Sequence, residues 1–251
     1  MFDAVLAVAV AVIPTFNEVD NLDRLVRRLF DVDRSLGVIV VDDASTDGTA
    51  TLAAQLAREF EHLEVINRPA KLGLGSAYRD GFALAVSGGA DVCIQIDADL
   101  SHDPEDLPAL LANIAQGADL AIGSRYVPGG KTESWSWGRR WLSRWGNRYA
   151  AGVLGLAVND ATAGFRAYRA DALKWIDYQT VTADGYGFQI EMTHRMVRAG
   201  AKIVEFPIEF RDRHAGTSKL SRGIVREAVV LVARLWLDDR NDRRRRRRVS
   251  G

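Results

Sequence analysis

Short apolar runs rich in β-branched residues alternate with helical patterns through the first half of the chain, and no other feature constrains the fold as strongly. "VLAVAVAVI" is followed by "NLDRLVRRLF", "GVIVVDD" by "TATLAAQLAREF", and "DVCIQID" by "PEDLPALLANI". "LEVIN" leads through a Gly-rich loop to "AYRDGFALAV", and "ADLAIGSR" closes the series. This order predicts an α/β fold: a mostly parallel central sheet with helices on both faces. Near-continuous apolar strands fit burial on both sides. Such sheets bind ligands at the carboxyl ends of their strands. Pro14, Asn17 and Glu18 follow the first run, Asp42 and Asp43 the second, Asp97 and Asp99 the fourth, and Arg125 the fifth.

The second half is less regular. It holds a Trp/Arg-rich segment at 135–149, a loop "NDATAGFRAYR", a helix around "GFQIEMTHRMVRAG", a strand "AKIVEFPIEF" and a polar loop "RDRHAGTSKL". Neither a repeat nor a Pro/Ser-rich linker divides the chain. Residues 1–238 are therefore read as one domain with amphipathic helices near 136–156 and 222–237, and 239–251 as a basic tail expected to be disordered.

Of the 251 residues 47% are hydrophobic, enough for a sizeable core. Cys93 is the one cysteine, which excludes an internal disulfide. The apolar start carries Asp3 and lacks a basic leader region, so it reads as a first buried strand. No apolar run approaches the ~20 residues of a spanning helix. The formal charge is zero, yet "RNDRRRRRR" at 240–248 leaves 26 basic against 32 acidic residues elsewhere. An acidic body with a basic tail is consistent with an anionic surface, lipid or nucleic acid, and equally with a solvated tail that binds nothing.

"QIDADLSHDPEDL" (95–107) divides into two devices. Asp97 and Asp99 close a strand, where two carboxylates one residue apart can share a divalent ion that bridges to substrate phosphates. Asp103, Pro104, Glu105 and Asp106 read as the cap and acidic first turn of a helix. Ser101 lies on the boundary. "RPAKLGLGSA" lacks the third glycine of G-x-G-x-x-G and has no G-K-[ST], which removes the dinucleotide and P-loop readings.

"VIPTFNE", "VVDDASTDGT", "KLGLGSAYRDG", "DADLSHDPEDL", "GSRY", "AGFRAYR", "GYGFQIEM" and "DRHAGTSKL" occur in an order that resembles family-2 glycosyltransferases of GT-A fold, within them the dolichol- and polyprenol-phosphate mannose synthases. The resemblance spans about residues 10 to 222. It implies a GDP-mannose donor, a polyprenyl phosphate acceptor, Mg²⁺ or Mn²⁺ as cofactor and an inverted anomeric centre. It further implies that Pro14, Phe16, Glu18, Val41 and Asp43 hold the guanosine part. Asp97, Ala98 and Asp99 would hold metal and diphosphate, with Ser101 as third metal ligand. Arg125, Arg213 and Lys219 would meet the phosphates, with Asp99 and Arg125 central to catalysis. Gln189 and Glu191 would lie near the sugar, and Arg139 or Arg140 would reach the acceptor phosphate. Phe16 stands where the family more often has Tyr, so only the ring face remains. Arg166 of "AGFR" is equally consistent with a structural and a functional role.

Trp137, Trp141, Trp145 and Tyr149 recur at i, i+4, edged by Arg140, Arg144 and Arg148. An aromatic stripe bordered by arginines fits a helix lying in a membrane interface. The expectation is a peripheral enzyme at the cytoplasmic face of a membrane. No membrane-protein partner is identified by sequence. A UDP-sugar (glucose) donor is the nearest alternative. A nucleic-acid module using the Arg tail would leave the strand-end carboxylates unexplained, so no nucleic-acid partner is expected.

Overall fold

The computed structural model describes residues 8–133, 135–211 and 222–249, with backbone alone at 222–227 and 242–249. Strand β1 (Ala9–Thr15), helix α1 (Val19–Val32), β2 (Gly37–Asp42), α2 (Thr49–Glu59), β3 (Leu63–Asn67), α3 (Leu74–Ser87) and β4 (Val92–Gln95) follow in the expected alternation. A 3₁₀ turn at Pro104–Asp106 opens α4 (Leu107–Ala115), and β5 (Leu120–Ser124) follows. Then come β6 (Lys131–Thr132), α5 (Trp137–Leu154), β7 (Arg166–Arg169), α6 (Ala170–Trp175), α7 (Gly185–Arg198), β8 (Ile203–Pro207), β9 (Glu209–Phe210) and α8 (Arg222–Val249).

Seven strands make the main sheet, in the order β3-β2-β1-β4-β7-β5-β8. Side chains alternate between its faces. Ala11, Ile13, Val38 and Val40 pack with Leu25, Leu29 and Leu110 on one face. Val12, Ile39 and Val41 pack with Tyr78, Phe82 and Phe188 on the other. Gly81 lets α3 settle on β1, since a Cβ there would lie 2.3 Å from Val12 Cγ1.

Strand β7 is the exception in direction, antiparallel to both β4 and β5. From the sequence its segment reads as a loop. Four residues with two arginines carry too little apolar signal to register as a strand. Being antiparallel, β7 begins at the edge where β4 and β5 end. The loop of residues 160–165 is thereby delivered to the ligand-binding edge.

Arg166 opens β7 and is fully buried. Its guanidinium donates to the carbonyls of Ala163 (2.7 Å), Ala161 (2.7 Å) and Gln189 (3.2 Å) and to Thr193 Oγ1 (2.9 Å). Those bonds tie the 160–165 loop to α7 and answer the question left open by sequence: Arg166 is a structural brace.

Three strand-end turns carry a left-handed residue that is not glycine: Asn17, Ala44 and Leu100, each at φ 59°. Such conformations cost about 1 kcal/mol each for ordinary side chains. They bend the chain sharply after β1, β2 and β4, where the candidate residues lie.

The last helix differs from expectation. It does not stop at 237 but continues to Val249, through the segment expected to be a disordered tail. Arginine is a good helix former, and neither Gly nor Pro interrupts residues 224–249. Val232 of α8 is buried, and Asp239 is ion-paired with Arg198 and lies within hydrogen-bond distance of His194 Nε2, both of α7.

Replacing Arg166 by Met should leave the Ala161 and Ala163 carbonyls unsatisfied in the interior. We expect a loss of about 3 kcal/mol, read as a lower urea midpoint. A variant as stable as the parent would contradict the bracing role.

Candidate active site

At the tip of β2 both carboxylates are occupied within the protein. Asp42 accepts from Thr15 Oγ1 (2.9 Å) and from the Ser45 N–H (2.9 Å) and hydroxyl, which shapes the turn into α2. Asp43 accepts from the N–H groups of Leu72 (2.8 Å) and Gly73 (2.9 Å) and pairs with Arg68 at 3.1 Å. It thereby pins the 68–73 loop over the sheet edge.

A cavity of about 400 Å³ opens beside it. Pro14, Phe16, Glu18, Asp43, Asp97, Ala98, Asp99 and Gln189 all line it, so eight of the positions read from sequence converge on one space. Glu18 also accepts from the Asn21 side chain (2.9 Å) at the start of α1. Val41 does not line the cavity; its side chain lies in the core against α3.

After β4, Asp97 and Asp99 face this cavity. Tyr78 of α3 donates its hydroxyl to Asp97 Oδ1 at 2.9 Å. Burial, and then the Asp97 charge, push the Tyr78 pKa well above the usual phenol value, so the hydroxyl keeps its proton. Gly164 backs the other carboxylate oxygen, and a Cβ there would come within 2.6 Å of Asp97 Oδ2. The Ser101 N–H donates to Asp99 Oδ1 (3.1 Å), while its buried hydroxyl has no hydrogen-bond partner among the described residues. Among those residues no three His, Cys, Asp or Glu side chains converge. A divalent ion at Asp97 and Asp99 would therefore draw further oxygen ligands from Ser101, water or substrate. Asp103 behaves as the expected cap: it accepts from the Glu105 N–H (3.1 Å) and pairs with Arg28 and Arg211.

Arg125, at the end of β5, is 5% exposed and faces a different space. Its Nε and Nη2 meet Asp160 at 2.7 and 2.6 Å, and Nη2 also meets Thr162 Oγ1 at 2.8 Å. Burial alone would raise the Asp160 pKa; the Arg125 charge and hydrogen bonds reverse this and hold it below the usual carboxylate value. With Asp160 neutralising it, the guanidinium is fixed in orientation. Arg125 and Arg139 together line an apolar cavity of about 100 Å³ walled by α5, α7 and α8, including Leu142, Tyr149, Ile190 and Val232. Thr162, Tyr186 and Ala228 line both this cavity and the one holding Asp97.

Other expected residues fall elsewhere. Arg140 lies on the outer face of α5, in a groove with Trp137, Trp141 and Arg144, away from Arg125. Glu191 does not line the cavity that holds Asp97 and Asp99. Its carboxylate accepts from Arg195 Nη2 (2.7 Å) and the Ala183 N–H (3.2 Å) and lines a separate cavity between α7 and α8. Two residues, about half a turn of α7, separate opposite environments, and the motif "FQIEM" does not reveal which residue points where. Gln189 does face the site, with its buried Oε1 unpartnered among the described residues. Arg213 and Lys219 lie outside the described residues. Tyr78, Asp160, Thr162, Gly164 and Tyr186 were not singled out from sequence, although all lie within the quoted motifs or the 159–169 loop.

The family model described as "Glycosyl transferase family 2" matches residues 10–176. An undecaprenyl-phosphate mannosyltransferase of Micrococcus luteus is 49% identical over 90% of this chain and 93% of its own length. A polyprenol monophosphomannose synthase of Mycolicibacterium smegmatis is 45% identical over 93% of this chain and 89% of its own. Glucosyl-3-phosphoglycerate synthase from Mycobacterium tuberculosis, solved in complex with Mn²⁺, UDP-glucose and phosphoglyceric acid, superposes with a TM-score of 0.68. It covers 92% of this chain and 80% of its own at 18% identity, which is a likeness of fold.

Two substitutions test the support of Asp97. Tyr78→Phe should lower kcat/KM about tenfold, the worth of one hydrogen bond to a charged group, with the aromatic packing against Phe82 and Phe188 retained. Gly164→Ala should displace the carboxylate and weaken divalent-ion binding. Steady-state kinetics and a Mn²⁺ titration followed by electron paramagnetic resonance measure the two effects.

Proposed function

Because the chain belongs to glycosyl transferase family 2, we propose that this glycosyltransferase moves mannose from GDP-mannose to a polyprenyl phosphate, with inversion at the anomeric carbon. One observation carries the reading: a polar cavity with paired carboxylates and an apolar cavity with two arginines share the wall of Thr162, Tyr186 and Ala228. A sugar nucleotide suits the first and a lipid phosphate suits the second. The names of the two sequence relatives support both the sugar and the acceptor class.

Mg²⁺ or Mn²⁺ belongs to this reading, held by Asp97 and Asp99 with Ser101 or water completing an all-oxygen set. Bound there, such an ion stabilises the negative charge that builds on the departing diphosphate. The rest is work for side chains. A phosphate monoester has its second pKa near ~6, so the attacking oxygen is already anionic and needs no general base. It forms a bond to C1 of mannose as the bond from C1 to the diphosphate oxygen breaks, and the electron pair leaves with GDP. Arg125, held by Asp160, and Arg139 keep the acceptor phosphate in line for that attack. Phe16 supports the base, and the Gln189 Oε1 can accept from a sugar hydroxyl.

The reading extends to attachment at the cytoplasmic face of a membrane. Trp137, Trp141 and Trp145 are 75%, 56% and 44% exposed, with Arg140, Arg144 and Arg148 among them. This outward apolar stripe supports an interfacial helix. Arginines 243–248 of α8 would add electrostatic attraction to anionic lipid. Among the described residues no helix is long and apolar enough to cross a membrane.

A transfer assay crossing GDP-mannose, UDP-glucose and other sugar nucleotides with polyprenyl phosphate, with and without Mg²⁺ or Mn²⁺, tests the reaction. Asp97→Asn and Asp99→Asn should each cut metal-dependent transfer by about a hundredfold or more, with the circular dichroism spectrum unchanged. Wild-type rates in both variants would sink the assignment. Sedimentation with anionic vesicles at low salt should carry the protein into the pellet, and Trp141→Glu should reduce that fraction. A wild-type protein that stays in the supernatant overturns the membrane arm alone.

A further inference from the structure

We propose that Lys71 reads the base of the nucleotide donor and favours a base that presents an oxo group. The inference rests on the sugar-nucleotide reading above and goes beyond it by assigning a residue to base discrimination.

Lys71 sits in the loop that Asp43 pins through the N–H groups of Leu72 and Gly73. Arg68, at the start of the same loop, pairs with Asp43 and donates to Gly73 O at 3.2 Å. The backbone on both sides of Lys71 is therefore fixed, and only its side chain has freedom. Its ammonium lies 3.6 Å from the centroid of the Phe16 ring. Both residues line the donor cavity at its β1–β2 end, with Glu18 and Asp43, whereas Asp97 and Asp99 mark the β4 end.

A planar base stacks on an aromatic face, and Phe16 offers that face. The ammonium stands on it, so an entering base moves the ammonium from the ring face to the base edge. Lys71 makes no hydrogen bond or ion pair among the described residues, and the move gives up only the cation–π contact. At the edge, an ammonium has three donors and no acceptor. Guanine presents O6 and N7 and uracil presents O4, while adenine carries an amino donor where guanine has O6. The ammonium thus gains a charge-assisted hydrogen bond from an oxo base and meets a like donor in adenine.

Isothermal titration of the full chain with GDP, IDP, UDP and ADP in Mg²⁺ tests this, with Lys71→Met and Lys71→Arg as variants. IDP keeps the 6-oxo group and lacks the 2-amino group, which isolates the edge in question. We expect Lys71→Met to weaken GDP, IDP and UDP about tenfold and ADP by less than about twofold, with Lys71→Arg restoring most of the loss and unchanged thermal midpoints. Unchanged affinities in Lys71→Met overturn the inference. Equal losses that include ADP overturn it too, since they would mark a general attraction for the diphosphate. A wild-type protein that binds none of the four instead refutes the sugar-nucleotide reading itself.

Discussion

Carboxylates gathered at the ends of buried strands must each be neutralised, and much of this structure is organised around that requirement. A buried charge without a partner costs several kcal/mol, so each aspartate commits nearby groups. Asp42 takes the Thr15 hydroxyl of β1 and the hydroxyl and N–H of Ser45 from its own turn. Asp43 takes a loop and an arginine, and Asp160 takes Arg125. Asp97 takes Tyr78 and turns its other oxygen toward the space that Gly164 leaves open. Asp97 and Asp99 line one cavity together from the end of β4, and Asp43 lines it from the end of β2.

The same requirement explains why loops and helices far apart in sequence meet here. The 160–165 loop reaches the site because β7 runs against its neighbours. It brings Asp160 and Thr162 to Arg125 and Gly164 to Asp97. Arg166 then ties that loop to α7, whose Gln189 and Tyr186 form the opposite wall. The three left-handed strand-end residues place local strain where the chain must turn toward ligand.

The alternation of apolar runs and helical patterns was legible because each parallel strand is buried on both faces. Most positions lining the cavity at the strand ends were legible too, because the sheet edge is a geometric consequence of that alternation. Strand β7 was not, since its pairing rests on long-range register rather than on any apolar run of its own. Glu191 shows a second limit. Gln189 and Glu191 are two residues apart on one helix, and only the packing of α7 decides that the first faces the site and the second a structural arginine. Arg139 and Arg140 repeat the case on α5, one turned toward Arg125 and the other toward solvent among tryptophans. The extension of α8 shows a third: composition marked the arginine run as a tail, whereas helix propensity without a breaker carries the backbone on to Val249.

The wall of Thr162, Tyr186 and Ala228 has a thermodynamic consequence. When two ligands press on opposite sides of the same side chains, any rearrangement of Tyr186 favoured by one changes the affinity for the other by a reciprocal factor. On the proposed function, occupancy of the apolar cavity and retention of a nucleotide in its neighbour would be linked equilibria, with the shared partition as the coupling element.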